Sequence, residues 1–238
     1  MTDTAAPAKL QWQLAKVVAV HDETPSAKTF RLALPAPLPH LAGQHYVVRL
    51  TAPDGYTASR SYSVASPPAP GGEIELTVER LEEGEVSTYL HDVVEVGDEL
   101  EVRGPIGRWF VWNGDSPALL VGGGSGVVPL MAMLRLARRT GRSELLRVVV
   151  SARQPEDLYY RDELPGPETT IVYSRVAPPS SARPAGRLRM DDLTGLIVPD
   201  ATAYVCGSPA FADAASDLLV GAGVPVAQIR VERFGPTS

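Results

Sequence analysis

The chain is expected to fold as two domains, a six-stranded antiparallel β-barrel followed by a doubly wound parallel α/β sheet. Three observations predict this. From Trp12 to about Phe110 the apolar residues come in short, often alternating runs separated by turn-forming clusters, the pattern of antiparallel strands with one face buried. From Ala118 onward they come as continuous runs separated by helical periodicity, the pattern of strands covered on both faces. Between the halves stands Asn113-Gly114-Asp115-Ser116-Pro117, which favours a turn, so the domains are read as residues 1–114 and 115–238.

In order, the barrel strands are read at residues 16–20, 29–34, 46–50, 61–65, 74–81 and 99–103. Ala52-Pro53-Asp54-Gly55 and residues 67–72 supply turn chemistry between them. A helical turn or two over residues 87–93 interrupts the series. In the second half, residues 118–121, 145–150, 170–173 and 203–206 read as buried strands. Helices lie between them, clearest at Val127–Arg139, with Val128, Met131, Leu134 and Leu136 apolar, and at residues 210–220. A strand over residues 229–234 ends the series, and the proline-rich residues 178–184 read as a loop.

Composition narrows the function classes. With 238 residues, 44% hydrophobic and 21% charged, the chain is of soluble globular type. A net charge of -6 does not point to nucleic acid. Cys206 is the one cysteine, which excludes an intramolecular disulfide and an iron–sulfur cluster needing four thiolates. No apolar run approaches membrane-spanning length and residues 1–10 lack leader character, so a cytoplasmic location is expected. His21, His40, His45 and His91 lack metal-ligand spacing, so no metal is expected. Trp12, Trp109 and Trp112 read as barrel packing, and Asp191-Asp192 as a helix start.

Two segments carry chemistry. Gly122-Gly123-Gly124-Ser125-Gly126 directly follows a buried strand and precedes a helix. Glycines there admit close approach of a ligand, and the helix N-terminus offers free N–H groups to a diphosphate. The segment lacks Gly-Lys-Ser/Thr, so it is not a Walker loop, and Val127 denies it the hydrolase pattern Gly-x-Ser-x-Gly. It also departs from Gly-x-Gly-x-x-Gly, and a ligand-free βα turn fits it as well. In the second segment, Arg60-Ser61-Tyr62-Ser63, the strand period puts Arg60 and Tyr62 on one face. An anion contact then sits beside an aromatic platform, although an ordinary strand with an exposed arginine also accounts for it.

These segments are followed or joined by Gly84-Glu85-Val86-Ser87, by Gly104-Pro105-Ile106-Gly107-Arg108-Trp109-Phe110 and by Cys206-Gly207-Ser208-Pro209. In that order the set resembles the ferredoxin–NADP(+) reductase superfamily, specifically bacterial flavin reductases and oxygenase-partner reductases without an iron–sulfur domain. The resemblance covers residues 14–236.

The resemblance implies FAD in the barrel and NADPH, with NADH as alternative, in the α/β domain. Arg60 would pair with the flavin phosphates, with Ser61 beside it. Tyr62 would stack on the isoalloxazine, and Ser63 would bond near its N5. Gly84, Glu85, Val86 and Ser87 would turn N–H groups to the diphosphate, and Thr77 and Val78 join this set. Gly124, Ser125 and Gly126 would hold the nicotinamide dinucleotide, whose nicotinamide would lie by Cys206, Gly207 and Pro209. Phe234 would cover the flavin, and Glu232 would carry protons or orient Ser63. Arg153, Ser174, Arg175 and Arg187 would hold a 2′-phosphate, which needs multidentate cationic donors. The catalytic set is thus Ser63, Cys206 and Glu232. The acceptor would be separate, a ferredoxin or oxygenase component; a free-flavin or quinone reductase and a non-catalytic redox-sensing module are the alternatives.

Overall fold

The computed structural model describes residues 10–235. Residues 1–9 of the expected first domain and 236–238 of the second lie outside them. The first half forms β1 (Gln13–Thr24), β2 (Ala27–Ala33), β3 (His45–Thr51), β4 (Thr57–Ser63), β5 (Glu73–Glu79) and β6 (Glu99–Ile106). They make one antiparallel sheet in the order β4-β3-β6-β1-β2-β5. A bridge between Val64 and Leu76 joins its two ends and curls the sheet into a barrel. Val17, Phe30, Leu32, Tyr46, Val48, Leu76 and Val102 fill the inside. Alternation along β5 is clear: Ile74, Leu76 and Val78 point inward, so Glu75 and Thr77 point outward. Helix α1 (Glu85–Asp92) packs Val86 and Leu90 on the same core.

The second half forms a sheet of five parallel strands, β7 (Ala118–Gly123), β8 (Leu146–Ala152), β9 (Thr169–Tyr173), β10 (Thr202–Gly207) and β11 (Ile229–Arg233). Their order is β11-β10-β7-β8-β9. Helix α2 (Val127–Arg139) covers the face bearing Leu120, Val148, Val150 and Tyr204. A four-residue α3 (Asp191–Thr194) and the longer α4 (Pro209–Gly221) lie on the other face, where Leu119, Val121, Val149 and Val205 meet Ala212, Ala215 and Leu219. Burial on both faces is why these strands lack alternation in the sequence.

Three details depart from the sequence expectation. The fourth barrel strand begins at Thr57, because its polar first half is held by pairing with β3 and not by apolar burial. Between β8 and β9 only a 3-10 turn (Pro155–Asp157) forms, and the backbone then enters the left-handed region at Tyr160, where φ is +52°, which a right-handed helix cannot include. Trp109 is not barrel packing, being 62% exposed; Trp112 is buried, but in the core formed with α2 and not inside the barrel, and donates its indole N–H to the Ser116 carbonyl. Trp12 lies on the outside under the guanidinium groups of Arg49 and Arg103, 4.0 and 4.8 Å from its ring centre.

The barrel and the sheet are joined by side chains of α2 and of the turn that follows it. Arg135 donates to the Ala65 carbonyl at 3.1 Å, to Glu75 of β5 at 2.7 Å and to Glu163 at 2.9 Å. Arg139 donates to the Pro68 carbonyl, and Arg142 to the Gly114 carbonyl. With Arg135 only 17% exposed, its removal strands two carboxylates and a carbonyl. The Arg135→Met variant should lose on the order of 2 kcal/mol, discounted from a fully buried pair because both carboxylates touch solvent. Urea denaturation of wild type and variant checks this; equal midpoints would contradict it.

Candidate cofactor-binding and active site

The strand order reverses between β7 and β10, because the chain runs from β7 to β8 on one side and resumes at β10 on the other. Loops leaving the carboxyl ends of two such strands diverge and open a crevice. The register places Gly122, Cys206 and Glu232 side by side across β7, β10 and β11 at that end. The crevice is lined by the turn Gly124–Gly126, which leads into α2. A Cβ on Gly126 would stand 2.2 Å from the Cys206 carbonyl oxygen, so only glycine allows this contact. Gly124 has φ +56°, and a Cβ there would meet nothing within 4 Å, so this part of the turn faces open space. Ser125 is half-buried next to it.

Phe211, which the sequence reading missed, seats its ring against both flanks of the crevice. Added Cβ atoms on Gly123 and Gly207 would lie 2.7 and 2.6 Å from it. Its signal was a lone aromatic in the first turn after Cys-Gly-Ser-Pro, which helical periodicity does not distinguish. Ser208 caps α4 by accepting from the Phe211 N–H, and Pro209 occupies the first turn, where its missing donor costs nothing.

The Cys206 row faces the barrel. On the same face, Tyr204 donates its hydroxyl to the Val111 carbonyl at 2.8 Å, and Arg230 donates to the carbonyls of Trp109 and Val111 at 3.0 Å each. Burial pushes the Cys206 thiol well up, the Glu232 carboxylate adds to this, and a backbone bond at Gly207 opposes it. Cys206 is therefore a neutral thiol. Burial alone pushes Glu232 up to about 7. Past the end of β11, the Phe234 N–H donates to the Gly207 carbonyl at 2.8 Å, and its ring packs against the cluster containing Cys206.

On the barrel side, β4 pairs Arg60 with Val48 and Tyr62 with Tyr46, while Ser61 and Ser63 pair with Val47 and His45. Arg60 and Tyr62 therefore share one face and the two serines the other. Arg60 is exposed and donates to the Ser59 carbonyl at 2.8 Å. Tyr62 is half-buried, and burial holds its phenol above the ordinary range despite nearby Arg60. Ser63 is buried next to His45, whose imidazole burial keeps neutral.

Helix α1 starts at Gly84 without a side-chain cap, leaving the N–H groups of its first turn for a ligand. A Cβ on Gly84 would come within 2.3 Å of the Ser87 hydroxyl, which donates to the Gly84 carbonyl at 3.0 Å. Ser87 thus has its N–H to offer, not its hydroxyl. Glu85 accepts from the Tyr56 hydroxyl at 3.1 Å. Thr77 commits its hydroxyl to Thr29 and Tyr160, and Val78 packs inside the barrel. β5 also runs beside the Gly124–Gly126 turn, bringing the two halves of the site together.

Beyond the carboxyl ends of β8 and β9, the Ser174 N–H donates to the Ala152 carbonyl and the Arg175 N–H to the Arg153 carbonyl, each at 2.9 Å. A further bond from Gly186 to the Tyr173 carbonyl brings in the loop bearing Arg187. Arg183, also missed, holds that loop: it pairs with Asp192 at 2.6 Å and donates to the Arg187 carbonyl at 2.7 Å. Arg153, Arg175 and Arg187 are exposed, and among the described residues none of them forms an ion pair. The uncapped helix start, the open glycine turn and these free arginines fit two diphosphate-bearing ligands.

Comparison with known proteins agrees. An oxidoreductase FAD-binding domain model matches residues 14–111, and an oxidoreductase NAD-binding domain model matches residues 120–217. The chain is 31% identical to the reductase component of propane 2-monooxygenase from Rhodococcus jostii, covering 76% of this chain and 52% of that protein. It is 32% identical to a glycine betaine monooxygenase reductase subunit from Chromohalobacter salexigens, covering 93% and 64%. The chain spans about half to two thirds of the length of the curated relatives it matches. Its fold is that of the FAD/NAD-binding domain of nitric oxide dioxygenase from Vibrio cholerae, with a TM-score of 0.80, 24% identity, and coverage of 94% of this chain and 99% of that one. A cytochrome P450 reductase from Amycolatopsis superposes with a TM-score of 0.78 at 26% identity, covering 96% of this chain and 71% of that one. With an FAD-binding domain followed by an NAD-binding domain, the chain belongs to the ferredoxin–NADP(+) reductase superfamily.

Proposed function

We propose that this protein is an FAD-dependent NAD(P)H oxidoreductase that prefers NADPH and delivers electrons to a separate protein acceptor, a ferredoxin or an oxygenase component. The observation that carries the reading is the crevice at the strand reversal, with Cys206 and Glu232 turned toward the barrel that bears Arg60, Tyr62 and Ser63. Support for a protein acceptor comes from relatives named as reductase components of oxygenase systems. The division into domains at residues 114 and 115 belongs to this proposal, as does a cytoplasmic location; no helix among the described residues is long and apolar enough to cross a membrane.

Bound FAD would supply the ring that takes a hydride from the reduced nicotinamide, and would pass two electrons to the acceptor and the proton to solvent. The chain binds and orients. Arg60 and the first-turn N–H groups of Glu85, Val86 and Ser87 hold the flavin diphosphate at the positive end of α1. Tyr62 provides the flat apolar support, while Ser61 and Ser63 offer polar contacts along the ring edge. Thr77 and Val78 set the β5 wall. Gly124, Ser125 and Gly126 receive the dinucleotide diphosphate, and Gly207 and Pro209 shape the far side of the crevice. Cys206 is a small uncharged wall that excludes water beside the nicotinamide, and Phe234 covers the flavin from the other side. Glu232 holds or releases a proton at its carboxyl near neutral pH. Arg153, Ser174, Arg175 and Arg187 receive the 2′-phosphate.

The reading is tested by supplying FAD to the purified chain and adding NADPH or NADH without oxygen. Bleaching of the yellow colour is expected; bound flavin that neither nucleotide bleaches would favour a redox-sensing module. A screen of ferredoxins, free flavins and quinones then separates a protein acceptor from a small-molecule one. Arg60→Ala should weaken FAD roughly 10- to 100-fold, the worth of a charged hydrogen bond to phosphate, in a fluorescence titration. Arg175→Ala should raise the KM for NADPH roughly tenfold and that for NADH less than about twofold; equal losses would refute the phosphate role. For Glu232 the folded state binds its proton more tightly than the unfolded chain, so ionisation costs stability as pH rises from about 4.5 through about 7. Glu232→Gln should therefore stabilise the cofactor-free protein by on the order of 2 kcal/mol at about pH 8 and leave it unchanged at about pH 4, as read by urea denaturation.

A further inference from the structure

A closed ring of hydrogen bonds crosses from the barrel to the parallel sheet, away from the residues assigned to the ligands except at Thr77. The Tyr160 hydroxyl meets Thr77 Oγ1 at 2.5 Å, Thr77 meets Thr29 Oγ1 at 2.6 Å, and Thr29 donates to Glu23 at 2.8 Å. Glu23 closes the ring by accepting the Tyr160 backbone N–H at 3.1 Å. Each hydroxyl has a single proton to give, so the carboxylate at the end orders the chain: Thr29 gives to Glu23, Thr77 to Thr29 and Tyr160 to Thr77. Every donor is used and the phenol is buried, as is the Glu23 side chain at 8% exposure.

The backbone at the closing point is strained. Tyr160 has φ +52°, the left-handed region, which costs a bulky L-residue about 1 kcal/mol or more. Local bonds to its carbonyl from Glu163 and Leu164, both at 2.9 Å, shape the turn, but the N–H is held from the barrel by Glu23. The ring of Tyr160 also lies under the Arg135 guanidinium at 5.1 Å, and Arg135 bonds Glu75 on the outward face of β5, the face that presents Thr77. Arg135 belongs to α2, the helix that begins at the glycine turn. The strained turn, β5 and α2 are therefore tied at one point.

We propose that Tyr160 is a positioning residue, which through the Glu23–Thr29–Thr77 ring fixes the barrel against the glycine turn and so sets the separation of the two bound heterocycles. This rests on the oxidoreductase reading above. Hydride transfer tolerates little slack, since loss of near-attack geometry lowers the rate without loss of binding. A contact that acts only as packing would change stability and leave the transfer step alone.

The test uses the full chain with Tyr160→Phe and Thr29→Val, which each delete one hydroxyl, and Thr29→Ser, which keeps it. Two readouts are taken: amide exchange over residues 158–164 in the cofactor-free protein, and the stopped-flow rate of flavin reduction at saturating NADPH. Tyr160→Phe and Thr29→Val should speed exchange over that segment and slow reduction about tenfold, with FAD affinity and nucleotide affinity held within about twofold. Thr29→Ser should behave as wild type in both. Unchanged exchange would show that the ring does not hold the turn, and the proposal falls. Faster exchange with an unchanged reduction rate, or with a parallel loss of FAD affinity, would overturn the positioning role. A wild-type chain that takes up no FAD would overturn the oxidoreductase reading and the positioning role with it, while the exchange data would still report whether the ring exists.

Discussion

Gly126 lies so near the Cys206 carbonyl that no side chain fits between the turn after β7 and the end of β10. That contact governs the crevice. It holds together two strands whose following segments leave in opposite directions, and so exposes the carboxyl end of the sheet to a ligand. Cys206 is fully buried at that contact, and burial raises the proton affinity of its thiol and of the Glu232 carboxyl beside it. The neighbouring glycines admit the Phe211 ring, so the crevice wall is aromatic where backbone alone would leave a gap.

The large divisions of the fold were legible because they rest on periodicity. Alternation in β5 and unbroken apolar runs in β7 and β8 are direct imprints of one covered face and of two. The missing helix between β8 and β9 was not legible, because the left-handed turn at Tyr160 is held by distant partners. Nor was the start of β4, because its polar residues are held by a partner strand. Among site residues, the shared face of Arg60 and Tyr62 follows from strand geometry. The use of the Thr77 hydroxyl does not: its partners Thr29 and Tyr160 lie 48 and 83 residues away. Trp109 was misread because an aromatic in a strand-rich region usually packs inward, and its exposure depends on a loop conformation that no local pattern encodes.

Two sets of arginines in this chain differ in a way that composition cannot show. Arg49, Arg80, Arg135, Arg183 and Arg233 meet carboxylates and act as struts. Arg153, Arg175 and Arg187, beyond the strand ends, keep their donors unpaired among the described residues. On a molecule of net charge -6, these unpaired cations stand together beyond the carboxyl ends of β8 and β9.

The outermost position of β11 has a consequence for the protein's behaviour in concentrated solution. A terminal strand offers its unused amide and carbonyl groups to any other chain that approaches in extended form, the first step toward aggregation. β11 is only five residues long and carries Arg230, Glu232 and Arg233. A second copy adding edge to edge would have to crowd like charges or strip water from them. The features that equip this strand for its interior neighbours therefore also keep its outer rim solitary.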